Sequence, residues 1–239
     1  ASTVLGCWYG EDSKVGGDDE LCRSYTASVV TEEKIDDALT IVLMNSERYG
    51  GTTYMYSPED GGYGSGYAVA YIPLCATQDE FRFLLQHEAI GHGFAKLADE
   101  YAYETGGQIP DQVVADMMKE EKYGWWKNVD FISDLSLVKW APFIEDERYS
   151  SEKTGLYEGG CGYWTGIWSP SWRSLMKGNS DTFNAPSREA IWQRIHYLSE
   201  GSDWDYVYED FVAYDLRTSS SQTKAASIEH ILPPPPVSR

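Results

Sequence analysis

The sequence is poor in basic residues and lacks any long hydrophobic run. Its 239 residues include 19 Lys and Arg against 38 Asp and Glu, a formal net charge of −19. Because a field of that sign repels phosphate groups, the composition argues against nucleic acid or an anionic membrane as a partner. No apolar stretch approaches the roughly 20 residues of a membrane helix, so no membrane span is predicted. We expect a secreted or cell-envelope protein, either extracellular or periplasmic.

Cysteine is also scarce, and its spacing is irregular. Cys7, Cys22, Cys75 and Cys161 include no closely spaced pair of the kind that holds structural zinc. Cys7 and Cys22 could close a disulfide around a polar loop, which is typical of an oxidising compartment. Buried free thiols are the equally weighted alternative.

Only four histidines occur in the chain, and two of them fall in one short segment. Residues 86–101 read Gln-His-Glu-Ala-Ile-Gly-His-Gly-Phe-Ala-Lys-Leu-Ala-Asp-Glu-Tyr. A zinc hydrolase needs neutral imidazoles to hold the metal, an open position for water and a carboxylate beside that water. His87, His92 and Glu88 supply these groups. The segment therefore predicts Zn²⁺ as cofactor, with both histidines as ligands and Glu88 as general base.

The two histidines are five residues apart, whereas the common zinc-peptidase helix spaces them by four. At about 100° per residue, a step of five leaves side chains roughly 140° apart on a regular helix. A widened π turn brings such residues onto one face, so we predict one between His87 and His92. The competing interpretation is a solvated helix whose histidines bind nothing. The apolar run at residues 81–85 and the small Gly91 and Gly93 favour the metal site.

A third protein ligand is required, and the remaining histidines are poorly placed. His196 lies in a helical pattern and His230 in a proline-rich tail, so a carboxylate is favoured. Asp99 follows His92 by seven residues, far enough for the helix to end and the chain to fold back. We predict Asp99 as the ligand and Glu100 as a supporting residue or alternative ligand.

Several segments resemble the IgA-peptidase family of zinc metallopeptidases. Gly91 to Tyr101 is similar to the family's Gly-His-x-Phe-x-x-Leu-Ala-Asp-Glu-Tyr run, and further similar segments are residues 45–51, 126–130, 155–160, 174–176 and 183–189. The resemblance implies a metzincin-like α+β (α/β-like) fold. Such a fold has a twisted mixed sheet, a zinc-binding helix, a methionine turn at Met176 and then a C-terminal helix. The resemblance also implies a bacterial, extracellular or cell-envelope enzyme.

The secondary-structure pattern divides the chain into two parts. We expect a catalytic domain over residues 1–200, without the strand and helix that usually open it in the family, and a C-terminal extension or linker over 201–239 containing the stiff Pro233–Pro236 segment. Strands are predicted at 39–44, 67–72 and 206–216. The strand at 67–72 is predicted to be an edge strand that would pair with extended substrate. Helices are predicted from Pro110 to about Lys122 and from 188 to 198, the latter capped by Ser187.

These observations predict a zinc-dependent endopeptidase acting on a protein or glycoprotein substrate. Tyr157 or Tyr163 is a candidate for stabilising the oxyanion. The alternative function is a non-catalytic glycoprotein-binding module on a peptidase-like fold. A zinc hydrolase acting on other amides is a third reading of the same residues.

Overall fold

The computed structural model describes residues 4–10, 13–179 and 181–219, and it has the predicted mixed α+β class. Seven strands lie within these residues: β1 (Trp8–Tyr9), β2 (Val15–Gly16), β3 (Leu39–Met44), β4 (Thr52–Met55), β5 (Ala68–Pro73), β6 (Tyr157–Gly160) and β7 (Tyr163–Ser169). The pairs β1–β2 and β6–β7 form small antiparallel sheets. The strand predicted at 39–44 is confirmed as β3. The finer prediction, that the whole fold is metzincin-like, stays a prediction.

The principal sheet has the strand order β3–β5–β4, with β3 parallel and β4 antiparallel to β5. The prediction of a strand near 67–72 is confirmed, but its assignment as an edge strand is wrong. All six residues of β5 are buried, because it is covered by a strand on each side and by packed side chains on its faces. A continuous apolar run is typical of such a central strand. The outer strands of this sheet are β3 and β4.

The helices are, in chain order, α1 (Asp19–Ala27), α2 (Gln78–Leu84), a π-helix (Leu85–Phe94), α3 (Asp111–Glu120), α4 (Ala141–Glu145), α5 (Ala185–Glu200) and α6 (Tyr208–Ser219). Short 3₁₀ segments occupy Glu32–Asp37, Glu104–Gly106, Glu121–Tyr123 and Glu147–Glu152. The helix predicted from Pro110 is confirmed as α3 and its 3₁₀ continuation. No helix within the described ranges has the length and apolar character needed to cross a membrane.

The predicted start of α5 is wrong by several residues. Asn184 caps the helix, accepting a hydrogen bond from the Ser187 backbone N–H at 3.1 Å, and Pro186 lies in the first turn. Pro is well suited to that turn because its missing N–H has no helical acceptor there. Ser187 is therefore an internal, buried residue of α5 rather than its cap.

The strand predicted at 206–216 is also wrong, because these residues form most of α6. Its buried positions Phe211, Val212 and Asp215, with the half-buried Tyr208, follow the three- and four-residue spacing of a helix face. Phe211 and Val212 pack in one cluster with Trp192 of α5. Of the C-terminal extension or linker predicted over 201–239, the first part contains α6, while the part from 220 onward, with Pro233–Pro236 and His230, lies outside the described residues. The domain boundary at residue 200 stays a prediction.

The cysteines form no disulfide within the described residues. Cys22 is buried, with its Sγ 3.6 Å from the hydroxyl of Tyr71. The predicted bridge from Cys7 to Cys22 is therefore absent from this structure. Cys22 and Cys75 are buried, as the thiol alternative had it, whereas Cys7 and Cys161 are half-buried.

Candidate metal centre

The two histidines of the site lie on the π-helix that continues α2. A capping box between Thr77 and Glu80 begins α2, and the backbone then widens over Leu85–Phe94. At its end, the Ala95 N–H donates to the carbonyl of Ile90, five residues earlier, at 3.0 Å. The predicted widened turn is confirmed and extends over ten residues. It brings residues five apart onto one face, as the spacing requires.

His87, His92 and Asp99 come together in the buried interior. The Nε2 atoms of the two histidines are 3.0 Å apart, and Asp99 Oδ1 lies 3.1 Å from His87 Nε2 and 3.3 Å from His92 Nε2. All three side chains are almost fully buried. The structure therefore brings together the three predicted ligands, including the carboxylate seven residues beyond His92.

The tautomer of each histidine is set by a backbone carbonyl. His87 Nδ1 lies 2.9 Å from the carbonyl oxygen of Leu175, and His92 Nδ1 lies 2.7 Å from that of Leu97. A carbonyl can only accept, so each Nδ1 must carry the hydrogen. In the neutral rings both Nε2 atoms then direct lone pairs at each other and at the Asp99 carboxylate. Three acceptors in mutual contact repel one another unless a cation lies between them.

The spacing of these atoms fits a small tetrahedral cation. With ligand atoms about 2.05 Å from zinc, tetrahedral geometry separates neighbouring ligand atoms by roughly 3.3 Å. The three separations here are 3.0, 3.1 and 3.3 Å. Two imidazoles and one carboxylate also form a donor set suited to zinc with one position left open. The residues present therefore fit the metal that the sequence predicted.

Glu88 lies beside this cluster with one carboxylate oxygen unpaired. Thr53 Oγ1 on β4 lies 2.8 Å from Glu88 Oε2 and 2.9 Å from the backbone oxygen of Glu88, so its single proton orients this residue. Within the described residues, the buried Oε1 has no hydrogen-bond partner. Burial raises the pKa of Glu88 to about 8, and the charge of Asp99 adds to this rise while His87 opposes it.

The backbone of Gly51 leaves space beside Glu88. A Cβ atom at Gly51 would lie 3.0 Å from Glu88 Cγ and 3.1 Å from its unpaired Oε1. Residue 51 immediately precedes β4, which also carries Thr53. The start of this strand thus forms one wall of the carboxylate pocket.

Glu100 lies outside the three-ligand cluster, in a cage of hydrogen-bond donors. Its carboxylate accepts from Asn128 Nδ2 at 2.9 Å, from Ser174 Oγ at 2.6 Å and from Asn184 Nδ2 at 2.9 and 3.0 Å. Its backbone N–H donates to the carbonyl of Met176 at 2.8 Å. Burial raises its pKa, and these donors oppose the rise. Glu100 is thus not part of the group formed by His87, His92 and Asp99, and its supporting role stays a prediction.

Met176 is fully buried and packs against the π-helix. A side chain at Gly91 would collide with the Met176 sulfur, so the glycine permits this close approach. The methionine lies under the helix that carries both histidines, and its assignment as a methionine turn stays a prediction. Leu175, its neighbour, supplies the carbonyl that holds His87.

The two tyrosines predicted to stabilise an oxyanion have contacts elsewhere, and that role stays a prediction. The Tyr157 hydroxyl donates to the carbonyl of Lys153 at 3.0 Å, and Tyr163 packs against the cluster around Trp125. Tyr101 was not predicted as a site residue. It is buried beside the metal cluster, where burial, and then the charge of Asp99, raises its pKa well above the usual value.

Sequence reasoning also missed the residues that hold Glu88 and Glu100. Thr53, Asn128, Ser174 and Asn184 supply these hydrogen bonds. Three of the four lie in segments whose family resemblance was noted at residues 126–130, 174–176 and 183–189. The signal was therefore present in those segments, although it named no individual role.

The comparisons with known proteins agree with this geometry. The sequence matches the family described as IgA Peptidase M64 over residues 24–149, more than half of the 239-residue chain. The matched region includes His87, Glu88, His92 and Asp99. None of the curated proteins matches the sequence. By the length of this match, the chain belongs to the IgA peptidase M64 family of metallopeptidases.

Proposed function

We propose that the protein is a zinc-dependent endopeptidase that hydrolyses peptide bonds of extracellular proteins. The observation that carries the proposal is the convergence of three buried acceptor atoms, from His87, His92 and Asp99, next to the unpaired Oε1 of Glu88. The first three would hold Zn²⁺, and the fourth would face the reacting water. The secreted or cell-envelope location is part of this proposal, supported by the strongly acidic composition.

Hydrolysis requires a base, an acid and a polarised carbonyl. Zinc, when bound, acts as a Lewis acid that polarises water and the scissile carbonyl. Glu88 takes the proton of the attacking water on its free Oε1 and returns it to the leaving amine. Thr53 holds the other oxygen, so that the base keeps its orientation during both transfers. The Leu175 and Leu97 carbonyls keep the imidazole tautomers in the ligand form.

An extended peptide is the substrate that best suits the surroundings. The outer strand β4 carries Thr53, which contacts the Glu88 side chain. A peptide backbone aligned with β4 would pass beside that carboxylate, and main-chain pairing with an outer strand accepts many sequences. Cleavage within a chain therefore fits this site better than removal of a terminal residue.

Zinc content and casein cleavage, measured with and without a chelator, test the proposal. We expect one zinc per chain and chelator-sensitive cleavage in the wild type. Glu88→Gln should keep the zinc and lower kcat/KM by about 10²–10⁴-fold. Glu104→Gln, which changes an exposed glutamate near the site in sequence, is the matched control and should retain full activity.

Two results would contradict the proposal. A wild type that stays empty after zinc is supplied would exclude the metal site. A zinc-loaded wild type that leaves casein and other unfolded proteins intact would favour the binding module or a hydrolase of other amides.

A further inference from the structure

A tyrosine and an asparagine from distant parts of the chain meet near Glu88. The side-chain Nδ2 of Asn179 donates to the hydroxyl oxygen of Tyr49 at 2.6 Å. Asn179 is only 5% exposed, and its Oδ1 has no hydrogen-bond partner in the part of the chain that the structure describes. Tyr49 is only partly buried.

Both residues belong to segments that pack against the π-helix or its side chains. Tyr49 precedes Gly51, the residue whose backbone faces Glu88 Oε1. Asn179 follows Met176, which packs under Gly91 of the π-helix. The Tyr49 ring packs against the cluster that contains Ala89, the neighbour of Glu88. The Tyr49–Asn179 hydrogen bond therefore joins the segment that leads into β4 to the segment that follows Met176.

We propose that Tyr49 is a catalytic residue of this site, whose hydroxyl donates a hydrogen bond to the scissile carbonyl oxygen as that oxygen gains negative charge. Asn179 is the positioning residue that aims this hydroxyl. This role rests on the proposed peptidase function, in which Tyr49 would stabilise the negative charge on the carbonyl oxygen.

The direction of the hydrogen bond makes the phenolic proton available. Because Asn179 donates to the hydroxyl oxygen, that oxygen is the acceptor and its own hydrogen points elsewhere. A hydroxyl that accepts a hydrogen bond also becomes a better donor. Burial raises the pKa of Tyr49 to about 12, with Asn179 opposing and Glu88 adding to the rise. The group therefore keeps its proton at neutral pH.

The other candidate tyrosines meet these conditions less well. Tyr157 donates its proton to the carbonyl of Lys153. Tyr101 is only 5% exposed and lies beside Asp99, so a bound molecule has little access to its hydroxyl. Tyr49 alone among these three combines a partly exposed ring with a donor that holds its oxygen as acceptor.

The reaction balances with Tyr49 in this role. Water oxygen bonds to the carbonyl carbon, the water proton moves to Glu88, and the carbonyl π electrons move to the carbonyl oxygen. Tyr49 stabilises that oxygen without transferring its proton. When the C–N bond breaks, the electron pair leaves with nitrogen, which takes the proton from Glu88.

Steady-state kinetics on a quenched fluorescent peptide test the role of Tyr49. Tyr49→Phe should lower kcat by about 100-fold, with KM and zinc content nearly unchanged, because the lost donor acts mainly in the transition state. Tyr123→Phe is the matched control, since it removes a buried hydroxyl that donates to the carbonyl of Glu59 away from the site. It should keep the wild-type kcat.

The role of Asn179 is tested by Asn179→Asp, which has nearly the same size. A carboxylate must accept from Tyr49, so the phenolic proton turns away from the substrate. We expect kcat to fall by at least about 10-fold with KM little changed, whereas Tyr49→Phe/Asn179→Asp should be no slower than Tyr49→Phe alone. A double variant much slower than Tyr49→Phe would overturn the positioning role.

Binding of a phosphinic peptide gives a readout that is independent of turnover. Its anionic oxygen resembles the charged carbonyl oxygen, so Tyr49→Phe should weaken binding by about 10–100-fold in calorimetry. Equal affinity and equal kcat in Tyr49→Phe and Tyr123→Phe, or a large loss in Tyr101→Phe alone, would overturn the inference. Failure of the wild type to cleave any peptide would instead contradict the proposed function.

Discussion

Asp99 and Glu100 are consecutive carboxylates with opposite surroundings. Asp99 points its Oδ1 at two imidazole nitrogens that carry lone pairs. Glu100 points into a cage where two asparagine amides and a serine hydroxyl donate hydrogen bonds to it. Both are buried, so burial alone does not separate a ligand from a structural carboxylate.

The difference lies in what the neighbouring atoms can donate. A carboxylate surrounded by donors has its charge satisfied within the protein and needs no further cation. A carboxylate that faces other acceptors needs a cation to offset their repulsion. Glu100 thereby ties together the Asn128 segment, the Met176 turn and the start of α5, while Asp99 lies against the two histidines as the third proposed ligand.

The largest expected effect comes from exchanging each carboxylate for its amide and measuring zinc affinity. Asp99→Asn replaces a charged ligand with a neutral one, so we expect the zinc dissociation constant to rise by at least about 100-fold. Glu100→Gln should leave it within a few-fold of the wild type. Competition with a chromophoric chelator measures both values. The comparison fails if Glu100→Gln loses zinc as strongly as Asp99→Asn.

The same two variants should rank in the opposite order when their free energies of unfolding are compared, with Glu100→Gln losing more than Asp99→Asn. Glu100→Gln places an amide N–H₂ among donors, and the unsatisfied groups should lower the free energy of unfolding by roughly 3 kcal/mol. Asp99→Asn should cost less in the zinc-free protein, because it removes repulsion between acceptors. Urea unfolding with a chelator present measures both. A more stable Glu100→Gln would show that the cage contributes nothing to folding.

The smallest expected effect concerns Lys96, a buried charge with far fewer partners. Its Nζ donates to the carbonyl of Gly93 at 2.7 Å, at the end of the π-helix. Burial lowers the pKa of Lys96 to about 7, and nearby Arg194 adds to this while Asp37 and Asp36 oppose it. Between pH 7 and the ordinary lysine value, the unfolded chain binds more protons than the folded one. The free energy of unfolding should therefore rise with pH across that window.

Unfolding at pH 7 and pH 9.5 of the zinc-free protein isolates this contribution. Lys96→Met has no titrating amine and should lack about 2 kcal/mol of the rise seen in the wild type. Lys119→Met, at an exposed lysine, should follow the wild-type pH dependence. Parallel curves for wild type and Lys96→Met would contradict the shifted pKa.

Local patterns predicted much of the framework around the site. The β-branched run of β3 and the Pro110 start of α3 are short-range signals, and both were confirmed. Three predictions were wrong: the edge position of β5, the start and cap of α5, and the strand predicted where α6 lies. An apolar run fits a central or an outer strand, and residues 206–216 fit either strand or helix until Trp192 packs against Phe211.

The sequence by itself predicted the types of the proposed ligands and the need for a π turn, of which the structure confirms the π turn. Both follow from the identity of His87, Glu88 and His92 and from the angle between residues five apart, which are properties of a single short segment. Only the tertiary structure decided the tautomers and the different surroundings of the two carboxylates. His87 meets the Leu175 carbonyl 88 residues away, and Glu100 meets Asn184 84 residues away. Such contacts exist only after distant segments pack together, so no local pattern encodes them.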